Sequence, residues 1–186
     1  MLTPIYLEHD AHIIQSFSPD DLSRWSVMAD DVFELLSDKQ MLKYLPSKRL
    51  RSVRDADNLL KNALLNLYCG RNYIHFIRKK SDNQIIGIID VVSPDLAKEH
   101  YDLQQYPYFI EFYLKSEYSQ KRLMSSLLPH FLESLRSQSV LKVAAVIHRQ
   151  NTAARKLLYR AGFNYRNLFD ATQDIYEFSA VECNVA

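Results

Sequence analysis

The chain has 186 residues, a net charge of +1, 47% hydrophobic and 24% charged residues. That length supports one domain, spanning 1–186, with a substantial core, and the composition excludes a disordered chain. The near-zero charge argues against a nucleic-acid-coating protein, and no run approaches the roughly 18 apolar residues a membrane span needs.

The first residues carry Glu8, His9 and Asp10 and no apolar run, so no signal peptide is read and a cytoplasmic location is expected. Cys69 and Cys183 lie far apart, which fits a reducing compartment rather than a disulfide framework. Gly70, Gly87 and Gly162 are the only glycines, against about 13 from average usage. Tight backbone features must therefore be built largely from residues that resist positive φ.

His12 to Phe17 reads as a first strand. Ser18-Pro19-Asp20-Asp21 starts a helix, with Leu22, Trp25, Met28, Val32 and Leu36 on its buried face. Met41 to Arg54 is a loop. Ser52 to Asp55 opens a second helix with a capping-box pattern, buried through Ala56, Leu59, Leu60, Ala63 and Leu67 and stopped at Gly70. Tyr73 to Arg78 and Ile85 to Val92 form a hairpin around Ser81-Asp82-Asn83. Ser93 to Pro107 is polar and irregular. A strand, Tyr108 to Leu114, precedes a helix running to about Ser137. Then come a strand from Val140 to Ile147, a helix from Thr152 to Ala161 and a last strand from Ile175 to Ala180. The mixture of helices and hairpin-linked strands indicates an α+β or mixed α/β domain.

The strand, loop and helix start from Tyr108 to Leu128 have the geometry of a phosphate cradle. The first N–H groups of a helix are unpaired and the macrodipole is positive there. Yet the loop Ser119 to Met124 has no glycine. A non-glycine residue in the left-handed region costs on the order of 1–2 kcal/mol. Conversely, Lys121 and Arg122 carry charges that suit a pyrophosphate. An ordinary strand-to-helix turn is the competing reading. Pro129 leaves the helix start open: a start near Lys121 puts it inside the helix, and a start at Ser126 puts it in the tolerated first turn.

In order and spacing, four segments resemble the GNAT superfamily of N-acetyltransferases, in particular its RimJ/RimL-like branch. They are MLKYLPSKRLRSVRDADNLL (41–60), NYIHFIRKKSDNQIIGIIDVV (72–92), YLKSEYSQKRLMSSLL (113–128) and NTAARKLLYRAGF (151–163). The resemblance implies an α/β fold of mixed α+β type, a twisted mixed sheet flanked by helices that splays open at its middle to hold acetyl-CoA. Pantetheine would pair with the backbone of the strand ending at Leu114. The pyrophosphate would lie on Gln120, Lys121, Arg122, Leu123, Met124 and Ser125. Asn151 and Ala154 would close the cofactor site. The chain departs from the family pattern at Ser119, Arg122 and Met124, where Q/R-x-x-G-x-G/A is usual. Ala154 stands in place of a serine, and Leu158 in place of a frequent general-acid tyrosine. Tyr159, one residue on, is turned by about 100°.

Acetyl transfer to an amine needs a neutral nucleophile and protonation of the departing thiolate. Glu111 and Tyr113 share one face of their strand. Glu111 is a candidate base, a cross-strand ion-pair partner or an exposed edge carboxylate, and Tyr113 a candidate proton donor or a core tyrosine. Seven aromatics between Tyr101 and Tyr118 wall a pocket or form core and interface. The basic run Lys43, Lys48, Arg49, Arg51 and Arg54 is a solvated loop or a contact for RNA, the cofactor's 3′-phosphate or an acidic protein. The scattered histidines form no metal constellation. The leading expectation is an acetyl-CoA-dependent N-acetyltransferase acting on a peptide or small-molecule amine, as a monomer or a homodimer. A fold that has lost catalysis and an RNA-associated domain are the alternatives.

Overall fold

The computed structural model describes residues 1–119 and 121–180. Among them, eight strands form one sheet in the order β1-β2-β3-β4-β5-β6-β8-β7. These are β1 (Leu7–His9), β2 (His12–Gln15), β3 (Asn72–Lys79), β4 (Ile85–Val92), β5 (Tyr108–Leu114), β6 (Lys142–His148), β7 (Asn164–Leu168) and β8 (Gln173–Ser179). The β5–β6 pair is parallel and the other neighbours are antiparallel.

Helices α1 (Trp25–Ser37) and α2 (Val53–Tyr68) cover one face, where Met28, Val32, Leu35 and Leu60 pack on Phe76 and Ile88. Helix α4 (Leu123–Arg136) covers the other, through Leu127, Leu128, Phe131 and Leu135 against Ile77, Ile89 and Ile110. Helix α5 (Thr152–Arg160) adds Leu158 to that second layer and ends at Gly162, whose φ of 89° a side chain would strain.

The capping pattern at Ser18 is real, since Asp21 Oδ2 accepts the Ser18 N–H at 2.9 Å, but it opens only a 3-10 turn, Pro19–Leu22. Helix α1 starts later, at Trp25. Asp21 turns inward to a bidentate pair with buried Arg78, at 2.8 and 2.9 Å, and Leu22 is 73% exposed rather than on the buried face. The capping box at Ser52 holds, with Asp55 N–H on the serine hydroxyl at 3.2 Å.

The stretch read as irregular contains helix α3 (Pro94–His100), capped by Ser93. It is too short to display apolar periodicity. Strand β7 also escaped the pattern, because all five of its residues are exposed and nothing alternates. Strand β1 is three residues long and equally unmarked.

Strands β4 and β5 stay paired from Gly87–Leu114 to Val92–Phe109. They approach closely, for a Cβ on Gly87 would lie 2.6 Å from the Tyr113 carbonyl oxygen. By contrast, β5 meets β6 only at Tyr108–Val143 and Phe109–Ala144. Beyond Phe109 the two parallel strands part, and β6 continues along β8 as far as His148. The sheet therefore opens alongside the second half of β5.

Candidate active site

Two groups of residues meet at this opening. The first is the turn between β5 and α4. A single 3-10 turn, Ser116–Tyr118, leads out of β5, and α4 starts at Leu123. Arg122, immediately before it, has φ 62° and ψ 5°, the left-handed conformation. A glycine is usual at that place in the family pattern, so this chain builds the same turn with an arginine. The helix ladder begins with Ser126 N–H on the Arg122 carbonyl at 3.0 Å. The N–H groups of Leu123, Met124 and Ser125 thus form the first turn, and the Arg122 side chain does not cap them. Such a turn suits a phosphate.

Lys121 and Arg122 are exposed beside the turn, with Lys121 Nζ 5.3 Å from the Tyr118 ring centroid. Met124 points its side chain into the core and offers the turn only its backbone. Gln120 lies outside the described residues. Leu114 ends β5 opposite Gly87. The start at Leu123 settles where Pro129 falls, which is inside α4.

Asn151 and Ala154 are engaged with each other: the Asn151 side chain accepts the Ala154 N–H at 3.1 Å and caps α5. Leu158 is fully buried. Tyr159 is 49% exposed and meets Tyr176 edge-on.

The second group lies on the α1/α2 side of the sheet. Glu111 Oε2 accepts hydrogen bonds from Lys48 Nζ at 2.6 Å and from the Tyr113 hydroxyl. Lys48, still exposed in its loop, brings its charge to a carboxylate 63 positions away. Tyr113 is 6% exposed, and its pKa is raised well above 10, by desolvation first and then by the Glu111 charge and hydrogen bond. Other aromatics of this region are core: Tyr101 packs on Phe109 and Phe169, and the Tyr106 hydroxyl donates to the Tyr101 carbonyl.

Sequence reasoning missed Asp90. It is the direct cross-strand partner of Glu111, in the middle of the apolar run Ile85 to Val92. An acid in an otherwise apolar central strand was the available signal, because a buried carboxylate needs a partner or a purpose. Asn72 Nδ2 donates to its Oδ2 at 3.0 Å. Burial, and then the Glu111 charge, push its pKa up to about 7. Asp90, Tyr113 and Lys48 line a cavity of about 460 Å³ under α2.

The family model of the acetyltransferase (GNAT) domain matches residues 14–164. No curated protein matches the chain by sequence. Among solved structures, the ribosomal-protein-S5-alanine acetyltransferase of Vibrio fischeri aligns with a TM-score of 0.71 at 13% identity, over 96% of this chain and 98% of that one. RimL, a ribosomal L7/L12 alpha-N-protein acetyltransferase, gives 0.68 at 12% identity over 96% of each chain. The microcin C7 self-immunity acetyltransferase MccE, in complex with acetyl-CoA and AMP, gives 0.69 at 13% identity over 92% and 93%. At such identities the likeness establishes the fold, and it falls on the ribosomal-protein acetyltransferases whose motifs the sequence resembles. The family match, by contrast, runs from β2 through both the splayed strands and the α4 turn to the end of α5, and on that ground the chain belongs to the GNAT acetyltransferases, enzymes that use acetyl-CoA.

Proposed function

We propose that this acetyltransferase passes the acetyl group directly to a primary amine, on a protein N-terminus or a small molecule, with Glu111 as base and Tyr113 as proton donor. The observation that carries the reading is the Lys48–Glu111–Tyr113 chain beside the cavity and next to the open edge of β5. Acetyl-CoA supplies the activated acyl group; the backbone of β5 up to Leu114 and the turn from Gln120 to Ser125 hold it, with Asn151 and Ala154 at the end of the site.

Lys48 Nζ holds the Glu111 carboxylate in position to accept the proton that the amine loses on attack. Tyr113 is a weak acid while Glu111 is charged. Once Glu111 takes a proton, two of the causes that raise the tyrosine pKa disappear. Tyr113 then gives its proton to the leaving thiolate and regains one from Glu111.

The ribosomal-protein acetyltransferases among the structural neighbours favour a protein N-terminus as the acceptor. No helix among the described residues is long and apolar enough to cross a membrane, and we place the protein in the cytoplasm. The exposed edge strand β7 is the surface we assign to a homodimer.

Calorimetry with acetyl-CoA, followed by turnover of peptides with free N-termini, tests the reading. Acetylated peptide, and a drop of about 100-fold or more in kcat for Glu111→Gln, are expected. A flat titration at millimolar acetyl-CoA would reject it. That result would favour a fold that has lost the cofactor, a reading that the non-glycine turn and Leu158 motivate.

A further inference from the structure

The loop between α1 and α2 is a strap across the opening of the sheet. Tyr44 packs on His148 at the end of β6, with ring centroids 5.2 Å apart. Further on, Lys48 bonds Glu111 on β5 at 2.6 Å. Leu50 N–H then pairs with the Leu36 carbonyl at 2.9 Å, and Ser52 caps α2. The loop therefore touches both of the strands that part, on the face opposite α4, and it borders the cavity through Lys48.

Its charge is all of one sign. Between Met41 and Arg54 stand Lys43, Lys48, Arg49, Arg51 and Arg54, and no acid. The remainder of the chain has more acids than bases, so the net charge of +1 hides one concentrated positive patch. All five cations are exposed. Lys48 is bonded to Glu111, and the other four form no ion pair among the described residues. The acids that flank the loop are engaged elsewhere. Asp38 accepts the Gln40 and Met41 N–H groups, Asp55 those of Arg51 and Ser52, and Asp57 holds Lys61 and the Trp25 indole. Asp55 and Asp57 attract Arg51 and Arg54 only at a distance. Beyond the end of β6, Asp174 is paired with Arg149, and Asp170 accepts the Thr172 and Gln173 N–H groups. Like charges in one exposed loop repel one another, so the fold gains nothing from their concentration.

Resting on the N-acetyltransferase reading, we propose that the acceptor is an acidic peptide: its N-terminal amine enters at Glu111, under Lys48, while carboxylates on the residues that follow meet Lys43, Arg49, Arg51 and Arg54. Arginine suits this task, because its fork of N–H donors matches a carboxylate. The α2 wall of the cavity offers Asn58, Asn62 and Asn66, polar groups without charge, so selection by charge belongs to the loop at the rim. Pairs at the rim stay in water. They act on encounter and KM rather than on acetyl transfer itself, and salt screens them. The turn suited to a pyrophosphate starts α4, which covers the opposite face, so the loop is left to the acceptor. A long nucleic acid fits less well, since the surface beyond the patch is acidic on balance and repels a polyanion.

The test is kcat/KM for three peptides that share a free N-terminal Ala-Gly and continue with Asp and Glu, with Asn and Gln, or with Lys. At low salt the acidic peptide should be preferred to the neutral one by about 10-fold, through KM, and most of that preference should vanish at high salt. Lys43 and Arg49 adjoin the two contacts of the loop, at Tyr44 and Lys48, and neither residue is part of those contacts. The double variant Lys43→Glu, Arg49→Glu should reverse the order of the acidic and lysine peptides. An acidic peptide ranked no higher than the neutral one, or a preference that the double variant keeps, overturns the proposal. Fluorescence anisotropy of the labelled acidic peptide and of an oligouridylate of equal charge needs no turnover, and so separates this from a failure of the acetyltransferase reading. Salt-sensitive peptide binding that the double variant loses supports the acidic-acceptor site even if no amine is acetylated. Absent peptide binding, or an oligouridylate bound as tightly or more so, overturns it.

Discussion

Arg122 carries the main departure from the family pattern, and its backbone already has the conformation that glycine would provide. Its side chain is exposed beside the first turn of α4. The backbone form and the charge therefore act in opposite directions, and Arg122→Gly separates them. Removing the left-handed strain should stabilise the protein by about 1 kcal/mol in a denaturant melt. Removing the cation should weaken acetyl-CoA binding several-fold at low salt, with a smaller effect at high salt, as calorimetry at two ionic strengths would read. The residue types were legible in the sequence. Which of them lies in the left-handed region was not, because the sequence left the start of α4 open between Lys121 and Ser126.

Helix α4 links the turn to the core. Leu127, Leu128, Phe131 and Leu135 hold it on the sheet strongly enough to carry an internal proline. Pro129 removes the donor that would meet the Ser125 carbonyl, and its own side chain is exposed, so it contributes little packing. Pro129→Ala should stabilise the protein by about 1–3 kcal/mol in denaturant unfolding, the range expected for relieving an interior proline. The long helices α2 and α4 were visible as apolar periodicity. Helix α3 and strand β7 were not, since one has seven residues and the other no buried position.

Across the whole molecule, the N-terminal segment is tied down by groups distant in sequence. Leu2 N–H donates to the Tyr73 hydroxyl at 3.0 Å, Ile5 N–H to His75 Nε2 at 2.9 Å, and Thr3 exchanges two hydrogen bonds with Gln138 on the turn after α4. His75 must be neutral to accept that bond. It is 1% exposed, and burial lowers its pKa to about 4. The unfolded chain binds a proton near pH 6.5, so between pH 6.5 and 4 it holds more protons than the folded one. Stability from this group is present above that window and falls as pH drops through it, by roughly 3 kcal/mol at pH 4. Thermal melts across that range should show the decline, and His75→Gln, which keeps an acceptor and does not titrate, should flatten it.

The order of the longer helices and strands, the caps at Ser18 and Ser52, the hairpin at Ser81 to Asn83 and the face shared by Glu111 and Tyr113 follow from the sequence by itself, because each rests on local periodicity or a side chain bonding its own backbone. The pairing of Lys48 with Glu111, the placement of Asp90 opposite it and the parting of β5 from β6 belong to tertiary structure alone. These depend on strand register and on where a distant loop folds back. Only the assembled sheet brings Lys48, Asp90 and Tyr113 to the same cavity, with Glu111 bonded beside it.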